Sequence, residues 1–163
     1  MIELIPILPS HYEDLYRICC DNESFAKFFS PTLMHFSIGI GMAEGFSAVD
    51  SETGNVCGMV TFSEHMPLQD ALLHVTIDRA YWRKWIQTRA VIRKIAEFAF
   101  DGLRLPRLSG MSIKGATLPI VDRVLVGVGF HWEGCREKAL LLPDGLHDVT
   151  LYGLLRERCH WIA

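Results

Sequence analysis

The sequence predicts a mixed α/β domain, a β-sheet with helices packed against it, in the element order β-αα-βββ-α-β-α-ββ. Three observations carry that prediction. Short β-branched and apolar runs such as ALLHVTID (71–78) and RLSGMSI (107–113) read as strands. Between these two runs, Ile86, Ala90, Ile92, Ile95, Ala96 and Ala99 recur at the spacing of one helix face, from Trp85 to Phe100. Turn chemistry then separates the remaining strands. ETGN (52–55) and PDG (143–145) both supply residues that tolerate positive φ.

In chain order, IELIPI (2–7) is a short strand stopped by Pro9. Ser10 is placed to cap a helix through HYEDLYRICC (11–20), with Glu13 three residues on as its capping-box partner. ESFAKFF (23–29) continues as a second short helix, and SPTLMHFSIGIG (30–41) reads as loop. The strands GFSAVDS (45–51) and VCGMVTFSE (56–64) form a hairpin, followed by ALLHVTID. The helix from Trp85 ends at Gly102. After RLSGMSI comes a short helix, TLPIVDRVLVGV (117–128), opened by Thr117 with Pro119 in its first turn. The strands FHWEGCREKALLL (130–142) and HDVTLYGLLRER (147–158) close the chain as a hairpin.

Length and composition limit what such a domain does. The 163 residues suit a single domain, 1–163, with a real core. A net charge of −3 gives no global attraction for nucleic acid or an anionic membrane, so any cationic site is local. The five cysteines are scattered without a C-x-x-C pair, which argues against a disulfide framework and fits a reducing compartment. The seven histidines show no metal-ligand spacing, so no metal site is expected. The N-terminus lacks a basic leader and no apolar run reaches membrane-spanning length, so the expected location is cytoplasmic.

Several segments in succession resemble the GNAT superfamily of acyl-CoA N-acyltransferases, in particular the branch acting on ribosomal-protein N-termini. VTIDRAYWRKWIQTRAVIRKIAEFAF looks like the core strand, pyrophosphate turn and long helix of that family. LRLPRLSGMSI looks like the neighbouring strand, and VLVGVGFHWEG like the helix end with its Gly-Phe and Glu-Gly signature. KALLLPDGLHDVTLYGLLRER looks like the terminal hairpin. The match is good from about Leu72 onward.

The resemblance implies a GNAT-like acyl-CoA N-acyltransferase fold using acetyl-CoA. In the family, the pantetheine arm lies between two splayed parallel strands, here LLHVTID and RLSGMSI. The pyrophosphate sits on N–H groups at the start of the next helix. On this chain the implied cofactor contacts are Ile77, Arg79, Arg83, Lys84, Ile86, Gln87, Thr88, Arg89 and Thr117. The turn departs from the family pattern Q/R-x-x-G-x-G/A, with Trp82, Trp85 and Gln87 at its three defining positions. The lost glycines forbid the closest backbone approach, but the N–H donors remain. Arg83, Lys84 and Arg89 add cationic donors suited to phosphate. Near the following helix, Leu118, Val121 and Val126 stand where related chains carry Asn, Ser and Glu.

His74, in the strand nearest the thioester in the family, is the first choice of general base because its ordinary pKa lies near neutrality. Glu64, beside His65 at the end of the preceding strand, is the next candidate base. Tyr152 and Tyr81 are candidate acids for the leaving thiolate, although such aromatics more often pack. Asp78 is weighed as an amine-binding carboxylate or a cap for the turn after it, and Glu133 as a structural residue. The acceptor is an amine, on a protein or a small molecule. The alternative reading is an inactive GNAT-fold binding module, virion-associated in a phage for example. It has a homo-oligomer or protein partner docking through Trp82, Trp85 or the C-terminal hairpin.

Overall fold

The structure is a computed structural model. It describes residues 1–21, 32–41, 44–66, 70–82, 85–114, 119–142 and 144–161, and of residues 35, 64–66, 82, 85–88, 119 and 120 the backbone alone. The strands are β1 (Ile2–Pro6), β2 (Glu44–Asp50), β3 (Val56–Met66), β4 (Asp70–Ile77), β5 (Arg107–Ile113), β6 (His131–Leu142) and β7 (Gly145–Leu155). They form one seven-stranded sheet in the order β1-β2-β3-β4-β5-β7-β6. The helices are α1 (Tyr12–Asp21), α2 (Leu33–Gly41), α3 (Arg79–Trp82), α4 (Trp85–Glu97) and α5 (Pro119–Val128). The sheet is mixed, as expected: β4 runs parallel to β5 at Leu72↔Ser109, whereas β5 and β7 pair antiparallel from Arg107↔Leu155 to Ile113↔Val149. The chain divides into two compact units, residues 1–63 with 74–94, and residues 64–73 with 95–163.

In the first unit, α1 turns Leu15, Ile18 and Cys19 inward at i, i+3, i+4 spacing. They pack with Phe36 and Ile40 of α2 and with Val56 and Met59 of β3. The Tyr16 and Phe36 rings meet tilted at 58°, centroids 5.6 Å apart.

That cluster corrects the reading of SPTLMHFSIGIG as loop, because Leu33–Gly41 is a helix. Phe36 and Ile40, one turn apart, are 2% and 5% exposed, and their burial outweighs the poor helix propensity of Gly39 and Gly41. The helix expected over ESFAKFF lies outside the described residues. Ser10 does not open α1. It lies within a 3-10 turn, Pro9–His11, tied by His11 Nδ1, which accepts the Leu8 N–H at 3.3 Å and stands 2.8 Å from Ser47 Oγ.

In the second unit, α4 runs on into a π-turn, Phe98–Gly102. The Leu103 N–H reaches Phe98 O at 3.1 Å and the Leu105 N–H reaches Ala99 O at 3.0 Å. The reversal falls at Arg104, with φ of 55°, two residues beyond the Gly102 that the sequence suggests as terminator. In β6 the backbone bulges at Lys138, with φ of 48°, and its N–H is held by Asp148 Oδ1 at 2.9 Å. β6 is an edge strand, exposed along most of its length, with Trp132 65% exposed and Leu141 73%.

Candidate active site

The first unit carries the histidine. Along β4 the side chains alternate, and Ala71, Leu73 and Ile77 are buried while His74 points to the opposite face and is half-buried. Its Nε2 lies 2.6 Å from Ser63 Oγ on β3, the neighbouring strand. The two strands come together closely here. A Cβ at Gly58 would lie 2.4 Å from the Thr76 carbonyl oxygen, so this position on β3 accepts only glycine without a backbone shift. The Asp78 N–H continues the pairing by donating to Cys57 O at 2.8 Å.

Past β4 the chain turns into α3, and Asp78 makes that turn. Its Oδ1 accepts the Ala80 N–H at 2.9 Å, its carbonyl accepts the Tyr81 N–H at 2.9 Å, and its Oδ2 meets Arg17 Nη1 at 3.4 Å. Of the two roles weighed for Asp78, capping is the one its geometry performs. Tyr81 donates its hydroxyl to Asp50 Oδ2 at 3.0 Å; burial, followed by that bond, holds the phenol above its ordinary pKa.

The helix expected to receive a pyrophosphate is described from Trp85, with Ile86, Gln87 and Thr88 next along it. At a helix N-terminus the first N–H groups have no intrahelical acceptor, and the helix dipole adds positive potential. That donor set fits an anionic phosphate. Arg89 is half-buried one turn in, Arg79 is exposed at the start of α3, and Ile77 is buried, leaving its backbone for any ligand contact. Arg83, Lys84 and Thr117 lie outside the described residues, as do the side chains of Trp82, Glu64 and His65; Glu64 itself is in β3.

Tyr152 belongs to the second unit. Its hydroxyl donates to Asp122 Oδ1 on α5 at 2.8 Å, and Ser112 Oγ on β5 donates to the same oxygen at 2.6 Å. Burial, then the Asp122 contact, pushes the phenol up to about 12, which makes it a reluctant source of a proton. Val126, at the position read as having lost a polar group, is 57% exposed.

Glu133 forms a two-pronged ion pair with Arg107, whose Nε also reaches Asp70 Oδ2 at 3.3 Å. Ser109 Oγ donates to that Asp70 oxygen at 2.7 Å. These bonds tie β4, β5 and β6 together, which is a structural role for Glu133. Among the described residues no group of three His, Cys, Asp or Glu side chains is placed to hold a metal. No described helix is long and apolar enough to cross a membrane.

Sequence reading misses Ser63 and Asp122. Ser63 precedes the nominated Glu64 by one residue, and strand alternation puts neighbouring side chains on opposite faces. Fixing the register of the β3–β4 pair would have singled it out. Asp122 meets Ser112 and Tyr152 across sequence separations of 10 and 30, which no local pattern reveals.

The class these features define is the GNAT acyltransferase fold. No protein-family model and no curated protein matches the sequence. Solved structures do match, over nearly the whole chain. A spermidine N-acetyltransferase from Vibrio cholerae, in complex with CoA and spermine, superposes with a TM-score of 0.82 at 15% identity, covering 96% of each chain. A GNAT-family acetyltransferase from Bacillus anthracis gives 0.80 at 14% identity, over 96% of this chain and 95% of that one. The ribosomal-protein-S5-alanine acetyltransferase from Vibrio fischeri gives 0.75 at 19%, over 97% and 94%.

Proposed function

We propose that the chain is an acetyl-CoA-dependent N-acetyltransferase that passes an acetyl group to an amine by direct attack. The observation that carries this reading is a half-buried imidazole, His74, hydrogen-bonded to Ser63 on the core strand of a GNAT fold. The fold's other examples include enzymes named for spermidine and for a ribosomal-protein alanine, so a small polyamine and a protein N-terminus are the two acceptor types to try first.

In this reading the N–H groups at the start of α4 hold the pyrophosphate, assisted by Arg89 and the cationic residues of the turn before it. His74 serves as the base that takes the amine's proton. Tyr152 supports Asp122 rather than protonating the thiolate. The protein acts in a water-filled compartment, the cytoplasm in the first instance.

Turnover tests this. Acetyl-CoA is supplied with a panel of polyamines, small primary amines and peptide N-termini, and acetylated product is followed by mass. One or more amines should gain an acetyl group, and H74N should lower kcat by about 10²-fold or more, the usual contribution of a general base. Absence of product across the panel would leave the inactive GNAT-fold module as the reading.

A further inference from the structure

We propose that Ser63 is a catalytic proton relay, receiving the proton from the acceptor amine while delivering its own to Nε2 of His74. The proposal rests on the acetyltransferase reading above and adds a residue to its site. Its first support is distance. Ser63 Oγ and His74 Nε2 are 2.6 Å apart, well inside the range for a hydrogen bond from a hydroxyl. A hydroxyl can donate and accept at once, so it can take one proton as it hands on another.

The second support is placement. Ser63 and His74 are both half-buried, open enough for a small group to approach yet sheltered from bulk water. Two carboxylates of the same unit, Asp50 and Asp78, are engaged elsewhere. Asp50 accepts from Tyr81 at 3.0 Å and from the Glu52 N–H at 3.1 Å, and lies 3.6 Å from the N-terminal ammonium. Asp78 caps α3 and meets Arg17.

The step balances simply. The amine nitrogen forms its bond to the thioester carbonyl carbon, and the C–S bond breaks with the electron pair leaving on sulfur. The nitrogen's extra proton moves to Ser63 Oγ as the Ser63 hydroxyl proton moves to His74 Nε2. The imidazolium then releases its proton to water, and the thiolate takes one from water. The net change is thioester plus amine to amide plus thiol.

A covalent acetyl-serine is the competing chemistry for the same pair. The position of Ser63 argues against it. Nucleophilic serines of that kind sit on a sharp turn that thrusts Oγ outward, whereas Ser63 lies within the regular strand Val56–Met66.

The test compares wild type with S63A and S63T at saturating acetyl-CoA and amine. S63A should lose about 10- to 100-fold in kcat, part of what acid–base groups ordinarily contribute, with acetyl-CoA affinity unchanged. S63T, which keeps the hydroxyl on a residue at home in a strand, should recover most of the rate. In mixtures of light and heavy water the wild-type rate should bow, as two protons moving together require, and the residual S63A rate should fall linearly. An S63A rate within twofold of wild type, or no recovery in S63T, would overturn the relay while leaving the acetyltransferase reading intact. So would mass-detected acetyl on Ser63. A wild-type protein that does not bind acetyl-CoA would overturn both.

Discussion

Tyr152 and Asp122 are joined by a 2.8 Å hydrogen bond that fixes the phenol as a donor to the carboxylate, and Ser112 closes on the same oxygen at 2.6 Å. This three-part tie links β5, α5 and β7. It recasts a tyrosine that the sequence offers as an acid. Y152F should therefore keep kcat within a few-fold of wild type while losing about 1 kcal/mol of stability, the ordinary worth of one hydrogen bond. Chemical denaturation and steady-state kinetics on the one variant check both halves.

The same residue governs alkaline stability. Its folded pKa of about 12 lies above the ordinary phenol value, so the native state retains a proton that the unfolded state gives up. Stability from this group is complete below about pH 10 and declines as pH climbs toward 12. The buried thiols of Cys19 and Cys57, raised by burial to about 12 and about 11, act in the same direction from a lower starting point. Unfolding midpoints should fall between pH 9 and about 12, less steeply in Y152F.

Cysteine exposure gives an independent check on the packing. Cys20 and Cys135 are exposed, whereas Cys19, Cys57 and Cys159 are buried. In the native protein a thiol reagent should modify the first two quickly and the other three only on unfolding.

Gly58 tests the approach of β3 to β4. Its missing Cβ would meet backbone, the Thr76 carbonyl, which cannot swing aside as a side chain can. G58A should cost about 1–3 kcal/mol, the range for overpacking, and should lower activity by displacing the strand that holds His74. Thermal unfolding and kcat measured together would show the two losses moving in step.

Phe36 tests the helix that the sequence conceals. F36A should cost about 3–5 kcal/mol, since the ring is 2% exposed in the cluster of α1, α2 and β3. Urea titration would read that loss directly. A negligible effect would mean that SPTLMHFSIGIG is loop after all.

That helix shows where the sequence stops being legible. Strand alternation and the helical spacing from Trp85 are local patterns, and they mark the core of the sheet and α4 correctly. α2 carries the same kind of signal in Phe36 and Ile40, but Gly39 and Gly41 mask it, and only packing against α1 and β3 restores it. His74 was visible because a polar residue interrupts an apolar strand. Ser63 was not, because a serine in a strand is ordinary until the pairing puts it beside an imidazole. The glycine-poor turn at Trp82–Gln87 reads as eroded against the family pattern; residues 83 and 84 lie outside the described residues, and α4 is described from Trp85.

Binding of acetyl-CoA, followed by titration calorimetry on the full chain, tests the central claim most directly. The account predicts saturable one-to-one binding that weakens when CoA lacking its pyrophosphate moiety, pantetheine alone, replaces the cofactor. No heat of binding at millimolar acetyl-CoA would contradict it.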